Sequence, residues 1–411
     1  MAIVSAPRAR FLPSLVLGAC VLAILVLTWW TLTRHQTDHW TEVARAREFL
    51  ERNRPDLAFQ AVTGIRDEKP GAAEALALAA RALLMQGTIA PARQVLERSL
   101  KMKREQPEAA KMLAAIYLAG GDGKRAIDLL KQAAELDPRD FRPWFALGRV
   151  YHNLGEMTAS RDAYSNALER SPPAAEARQS RLGRIRALLD SHQDEQASPD
   201  LTALLQANPE DPQALALAAR QAVSLGQMEE ALRSADRALS SAKEEIDALL
   251  ARGRVHFQAR RFPQAAEDLL RATELNPNDL GALQLLGQTQ LALGRKPEAD
   301  ATLARAERAR ERRILMDTLT KEIDERPLDP EPRVRMGKAA IEGRMHTLAF
   351  QCFQAALDLS PGYEPAREGL RMLQREKGFD PSTIKGARPE FGTAGADAAS
   401  TPPVTGRARR G

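Results

Sequence analysis

The chain of 411 residues is 44% hydrophobic but only 5% aromatic, a mixture that suits many closely packed helices and suits β-rich folds badly. Its 59 basic and 54 acidic residues leave a formal net charge of +5. No basic run is interleaved with aromatics, which argues against a nucleic-acid track. Two cysteines, Cys20 and Cys352, provide neither a disulfide framework nor a CxxC metal site.

Residues 1–10 form a short basic tail carrying Arg8 and Arg10, and residues 11–33 are free of charge. As a helix rising about 1.5 Å per residue, that segment would cover a hydrocarbon core about 30 Å thick. Pro13 falls in its first turn, and Trp29 and Trp30 stand near the far end, where indoles favour the water–lipid interface. A transmembrane helix over 11–33, embedded in the bilayer, is therefore expected. A cleaved signal peptide would show a shorter apolar run and a small-x-small site, whereas Thr28-Trp29-Trp30-Thr31 stands here. Leu17-Gly18-Ala19-Cys20 resembles a bacterial lipobox, yet Val21 to Leu27 carries the apolar run on past the cysteine. Arg34, Arg45 and Arg47 beyond the span nearly balance Arg8 and Arg10, so the positive-inside rule barely discriminates. A short basic tail retained in the cytoplasm favours a single-pass inner-membrane protein with its body on the periplasmic side.

Internal self-similarity dominates the remainder. Asp140-Phe141-Arg142-Pro143-Trp144-Phe145-Ala146-Leu147-Gly148-Arg149-Val150-Tyr151 is followed by Tyr164, Ala167 and Pro172. One period earlier stand Leu113, Ala114, Tyr117, Ala126, Leu130, Ala133 and Pro138. After a three-residue slip, the frame returns with Leu249, Gly253, Ala265, Leu269, Ala272 and Pro277. The pattern resembles the tetratricopeptide repeat, a helix pair of 34 residues, with one departure at the twentieth place, Ser160. In phase, it gives units 1–4 over 39–174 and units 5–8 over 178–313. An extra helical insertion follows at 314–329, then a last unit with a capping helix over 330–377. The resemblance implies an all-α, right-handed superhelical solenoid of about nine helix pairs, each needing its neighbours to bury its apolar face. It also implies that other proteins are held along the concave face formed by the first helices. Residues 378–411, rich in Gly, Pro and Ala and closing on Arg407-Ala408-Arg409-Arg410-Gly411, read as a disordered basic tail.

No catalytic constellation stands out from the repeat, so no enzymatic activity and no cofactor are expected. Gly120-Gly121-Asp122-Gly123-Lys124 lacks phosphate-loop spacing and a following Ser or Thr, and it falls at a turn inside a repeat. The six histidines form no short ligand pair.

The ninth place of each unit carries a different signal. Reading along the chain, it holds Arg47, Arg81, Ala115, Arg149, Arg186, Arg220, Arg254, Gln288 and Lys338. Equivalent residues of neighbouring units lie about 8–10 Å apart, so this place would form a cationic ladder suited to an extended acidic partner. The alternative is internal neutralisation. Glu74, Glu108 and Asp247 stand 27 residues beyond Arg47, Arg81 and Arg220, where cross-repeat ion pairs could form. Arg186 and Arg254 lack such an acid, and the three-residue slip after Pro172 moves Glu176, 27 residues beyond Arg149, out of the second place, so these three arginines are the first candidates for binding. Lys111 and Asn153 fall near the same face, but not in the arrangement of the family's chaperone-binding clamp. Two functions remain open: an envelope scaffold for biogenesis or secretion, and a polymer guide in exopolysaccharide export. The oligomeric state is left open.

Overall fold

The computed structural model describes residues 40–65 and 70–376. The expected membrane helix at 11–33, with Trp29 and Trp30, and the tail at 378–411 lie outside the described residues. Among those described, no helix is long and apolar enough to cross a membrane.

All regular structure among the described residues is helical. The chain divides into two compact units between Arg104 and Glu105. The first holds α1 (40–51), α2 (Pro55–Val62), α3 (Ala72–Met85) and α4 (Ile89–Met102). The second begins with α5 (Pro107–Ala119), α6 (Gly123–Leu136), α7 (Arg142–Asn153), α8 (Met157–Glu169) and α9 (Ala174–Asp190). A short 3-10 turn leads into α10 (Ser198–Ala207), followed by α11 (Pro212–Ser224), α12 (Met228–Ser241), α13 (Ile246–Gln258) and α14 (Phe262–Leu275). The unit closes with α15 (Leu280–Ala292), α16 (Lys296–Glu325), α17 (Glu331–Glu342), α18 (His346–Leu359) and α19 (Glu364–Arg375). Each odd-numbered helix up to α17 pairs with the even-numbered helix after it, and α19 covers the end.

The turn inside each pair has one conformation. Its fifteenth-place residue is left-handed throughout: Gly87, Gly121, Gly155, Gly226 and Gly294, and also Asn53, His192, Arg260 and Arg344. Glycine dominates because a Cβ costs about 1–2 kcal/mol in this conformation. Packing between the helices of a pair follows a second repeated device. The small eighth-place residue lies under the large residue sixteen positions on, so a Cβ at Gly253 would meet Leu269 at 2.9 Å and one at Gly287 would meet Leu303 at 2.7 Å. Tyr164 is shared more widely. Its ring lies within 2.8 Å of a Cβ at Gly148 on α7 and within 2.3 Å of one at Gly183 on α9. In the first unit the core is Val43, Ala46 and Leu50 of α1 against Ala58 and Val62 of α2 and Ala75, Leu78 and Ala79 of α3.

Residues 314–329, expected as an extra helical insertion, are helical as far as Glu325, where they continue α16 in one unbroken run of 30 residues. The reason is local. The place where Pro277 and Pro361 follow the second helix of their units is occupied by Glu311, and no proline intervenes before Pro327. The added turns are packed: Leu319 and Ile323 are buried against Met336 and Cys352. Arg312 on the same helix donates from Nη1 to Asn278 Oδ1 at 2.9 Å, and Asn278 Nδ2 donates to the Gly343 carbonyl at 2.7 Å.

Two buried ion pairs recur at one offset in the second unit. Arg184 Nε and Nη2 each donate to Asp200 at 2.6 Å, and Arg252 does the same to Asp268 at 2.9 and 2.7 Å. Both carboxylates are 5% exposed.

Candidate binding groove

Helix contacts in the second unit identify its inner face. Helix α7 packs on α9, α9 on α11, α11 on α13 and α13 on α15, whereas no two even-numbered helices of this unit pack to a comparable extent. Elements that touch along one side and splay along the other lie on the inside of a curve, so the odd-numbered helices line the concave side. On α7, Leu147, Gly148 and Val150 are buried while Arg149 is exposed. On α13, Gly253 and Val255 are buried while Arg254 is exposed. The open strip of each first helix is the strip that its second helix and its neighbours leave uncovered.

The ninth-place residues differ in what they touch. In the first unit, Arg47 on α1 donates to Glu74 on α3, the cross-repeat pair that the 27-residue offset anticipates. Arg81 is half-buried on α3. In the second unit, Glu108 engages Lys111 at 2.7 Å and Arg142 at 2.9 Å. Lys111 also reaches the buried Asp140. Burial pushes the Asp140 carboxyl up, but hydrogen bonds from Arg142 and Lys111 outweigh it and hold the group down at about 2. Lys111 is thus taken up in a local ion-pair cluster.

Arg220 on α11 is paired, but not with the expected Asp247. Its Nη2 donates to Asp190 at the end of α9, and Asp190 also lies 3.8 Å from His152 Nε2 on α7. Side chains of a helix reach back toward its N-terminus, and Asp190, on the neighbouring first helix, lies within that reach. The 27-residue rule looks only forward along the chain, so it missed this acid. Arg149, Arg186, Arg254 and the exposed Lys338 form no ion pair within 4 Å among the described residues. Arg149 and Arg186 both lie close enough to Tyr164 to favour its ionised form, although burial pushes that phenol up overall. Arg186 is not unopposed, because it also faces Glu245 at the start of α13. Burial, together with Asp247 and Asp211, raises the Glu245 carboxyl, and Arg186 works against them. The ladder is therefore interrupted: Arg149 and Arg254 stand open, Arg186 is shared with Glu245, and Arg220 is neutralised. Among the described residues no cluster of ligand side chains is placed to hold a metal ion.

Family comparisons agree with this architecture. Models described as tetratricopeptide repeat match residues 49–116, 111–175 and 182–246. The chain is a tetratricopeptide-repeat protein. A further model, described as anaphase-promoting complex, cyclosome, subunit 3, matches residues 224–306 of this tetratricopeptide-repeat array. A search of curated proteins returns no match. Among solved structures, a tetratricopeptide-repeat protein from Parabacteroides merdae is 15% identical, with 62% of this chain and 99% of that one covered and a TM-score of 0.42. YrrB, described as having an unusual peptide-binding site, is 19% identical over 46% of this chain and 95% of its own, with a TM-score of 0.37. PilW, described as a type IV pilus biogenesis factor, is 19% identical over 53% and 99%, with a TM-score of 0.42. At such identities and scores nothing about ligand or pathway transfers.

Proposed function

We propose that this tetratricopeptide-repeat interaction scaffold holds an extended acidic segment of a partner protein along the odd-numbered helices of its second unit. The observation that carries the reading is the register of Arg149 and Arg254. They occupy one repeated place on the inner layer, both are exposed, and neither has an ion-pair partner within 4 Å among the described residues. Arg186 lies between them in sequence and adds a third guanidinium at the same place. Guanidinium groups match planar carboxylates in geometry and charge, and repeated spacing suits a linear ligand better than a compact one.

The test uses a fluorescent glutamate-rich peptide and the full chain carrying Arg149→Glu, Arg186→Glu and Arg254→Glu together. Affinity is expected to fall at least tenfold with far-ultraviolet circular dichroism unchanged, and wild-type binding should weaken as salt rises. Capture that persists undiminished in the triple variant would sink the groove reading. Retention of an anionic polysaccharide in place of the peptide would move the function to polymer guidance in exopolysaccharide export.

The charge-free segment 11–33 and its flanking Trp29 and Trp30 support anchoring in the inner membrane, with the array in the periplasm and a role in envelope biogenesis or secretion. Added protease should digest the array in spheroplasts. Protection until the membrane is permeabilised would place it on the cytoplasmic side.

A further inference from the structure

Within the second unit, the last helix pair folds back onto the first pair, α5 and α6. Arg333, in the first turn of α17, is only 4% exposed. Its Nε donates to the Gly120 carbonyl at 2.9 Å, and its Nη1 donates to the Asp329 carbonyl at 3.2 Å. Gly120 and Gly121 form the turn between α5 and α6, so this bond joins residues 213 positions apart. Apolar contacts surround it. A Cβ on Gly120 would lie 3.7 Å from the Ala355 Cβ of α18, and one on Gly121 would lie 3.9 Å from Ile323 Cδ1 near the end of α16. Helix α18 packs on α5 directly. Asp324 is placed among Asp122, Lys124 and Arg333, with burial and Asp122 pushing its carboxyl up against the two cations.

The edges that meet are opposite ones. Turns within pairs lie along one edge of a stack of helix pairs, and turns between pairs lie along the other. Gly120 belongs to a turn within a pair, whereas Asp329 lies in the connection between α16 and α17 and Arg333 in the first helical turn after it. Contact between opposite edges, six pairs apart, is the contact that successive turns of a coil make. A contact at this place stands in the way of anything approaching from the side there. Burying a guanidinium there is costly unless its donors are satisfied, and the Gly120 and Asp329 carbonyls take up two of them.

We propose that Arg333 and Gly120 close a clasp over the inner face of the second unit, so that a partner segment is admitted by a free end, and from the side only when the clasp opens. The rule of access rests on the groove reading above, whereas the clasp itself does not.

The 3.7 Å separation at Gly120 and Ala355 falls within the Cβ–Cβ range of about 3.5–4.5 Å that a disulfide requires. Gly120→Cys with Ala355→Cys, in the full chain carrying Cys20→Ser, should therefore crosslink readily under oxidising conditions. Native Cys352 does not compete, because burial pushes its thiol up to about 12. Two probes then separate the routes: a glutamate-rich peptide with free ends, and the same peptide fused at both ends to folded domains. The oxidised protein should hold the free peptide within twofold of the reduced protein and lose the doubly fused probe by tenfold or more, with recovery on reduction. Circular dichroism of both forms guards against misfolding. Absence of a crosslink overturns the clasp, and equal binding of both probes by the oxidised protein overturns the rule of access. A reduced protein that holds neither probe overturns the groove reading and the rule of access with it, while the crosslink yield still reports on the clasp.

Discussion

Phe353→Ala should lower the stability of the second unit by about 3–5 kcal/mol, the range for truncating a fully buried aromatic side chain. The ring is 0% exposed and sits among Val334, Ala340, Ala349, Ala356, Ala366 and Leu373. Two glycines make room for it: a Cβ on Gly337 of α17 would lie 2.6 Å from the ring, and one on Gly369 of α19 would lie 2.3 Å from it. Gly337 and Gly369 carry no side chain that could swing into the void on two of its sides, whereas Val334 and Leu373 leave only limited room for collapse from the others. Denaturant titration followed by circular dichroism of the full chain checks this. A loss below about 1 kcal/mol, the scale of a tolerated volume-conserving swap, would mean that the ring is not the wedge between α17, α18 and α19.

The second large effect concerns the buried pair between Arg252 and Asp268. Arg252→Met strands a carboxylate that is 5% exposed, with an expected loss of about 3 kcal/mol or more. Arg252 also reaches Asp236 at 2.8 Å, but that carboxylate is exposed and water can replace its partner. Combining Arg252→Met with Asp268→Leu should recover most of the loss, because a buried ion pair and a packed apolar pair of similar volume are close in free energy. A double-mutant cycle read by the same titration tests this. Additive losses would show that the two side chains act independently and that the bidentate pair is not the source of the effect.

The repeat architecture was legible because the chemistry of a helix pair is local. Ala, Gly and Leu at fixed places, with glycine at the turn and proline after the second helix, specify two helices and their close approach within about 34 residues. The left-handed turn at Arg260 and Arg344 follows from register alone, since the repeat imposes the conformation on a residue that would not choose it. The cross-repeat pair of Arg47 with Glu74 was readable for the same reason, both residues lying at repeated places on neighbouring first helices.

Other features were legible only in part. The extra helical residues at 314–325 continue α16 without a break because no proline ends that helix before Pro327. Arg220 turned to Asp190 rather than Asp247 because side-chain reach depends on how neighbouring helices lie against each other. The openness of Arg149 and Arg254 and the opposition between Arg186 and Glu245 likewise depend on distances between helices far apart in sequence.

Repeat spacing, helix pairing and the run of basic residues at one place could be read from the order of residues, since each depends on interactions within a repeat or between adjacent ones. The interrupted charge of the inner face and the clasp of Arg333 on Gly120 could not. The first depends on how neighbouring first helices lie against each other, as Arg220 on Asp190 shows. The second arises from small rotations between successive pairs that accumulate over the second unit until residues 213 positions apart meet, and no local pattern records that sum.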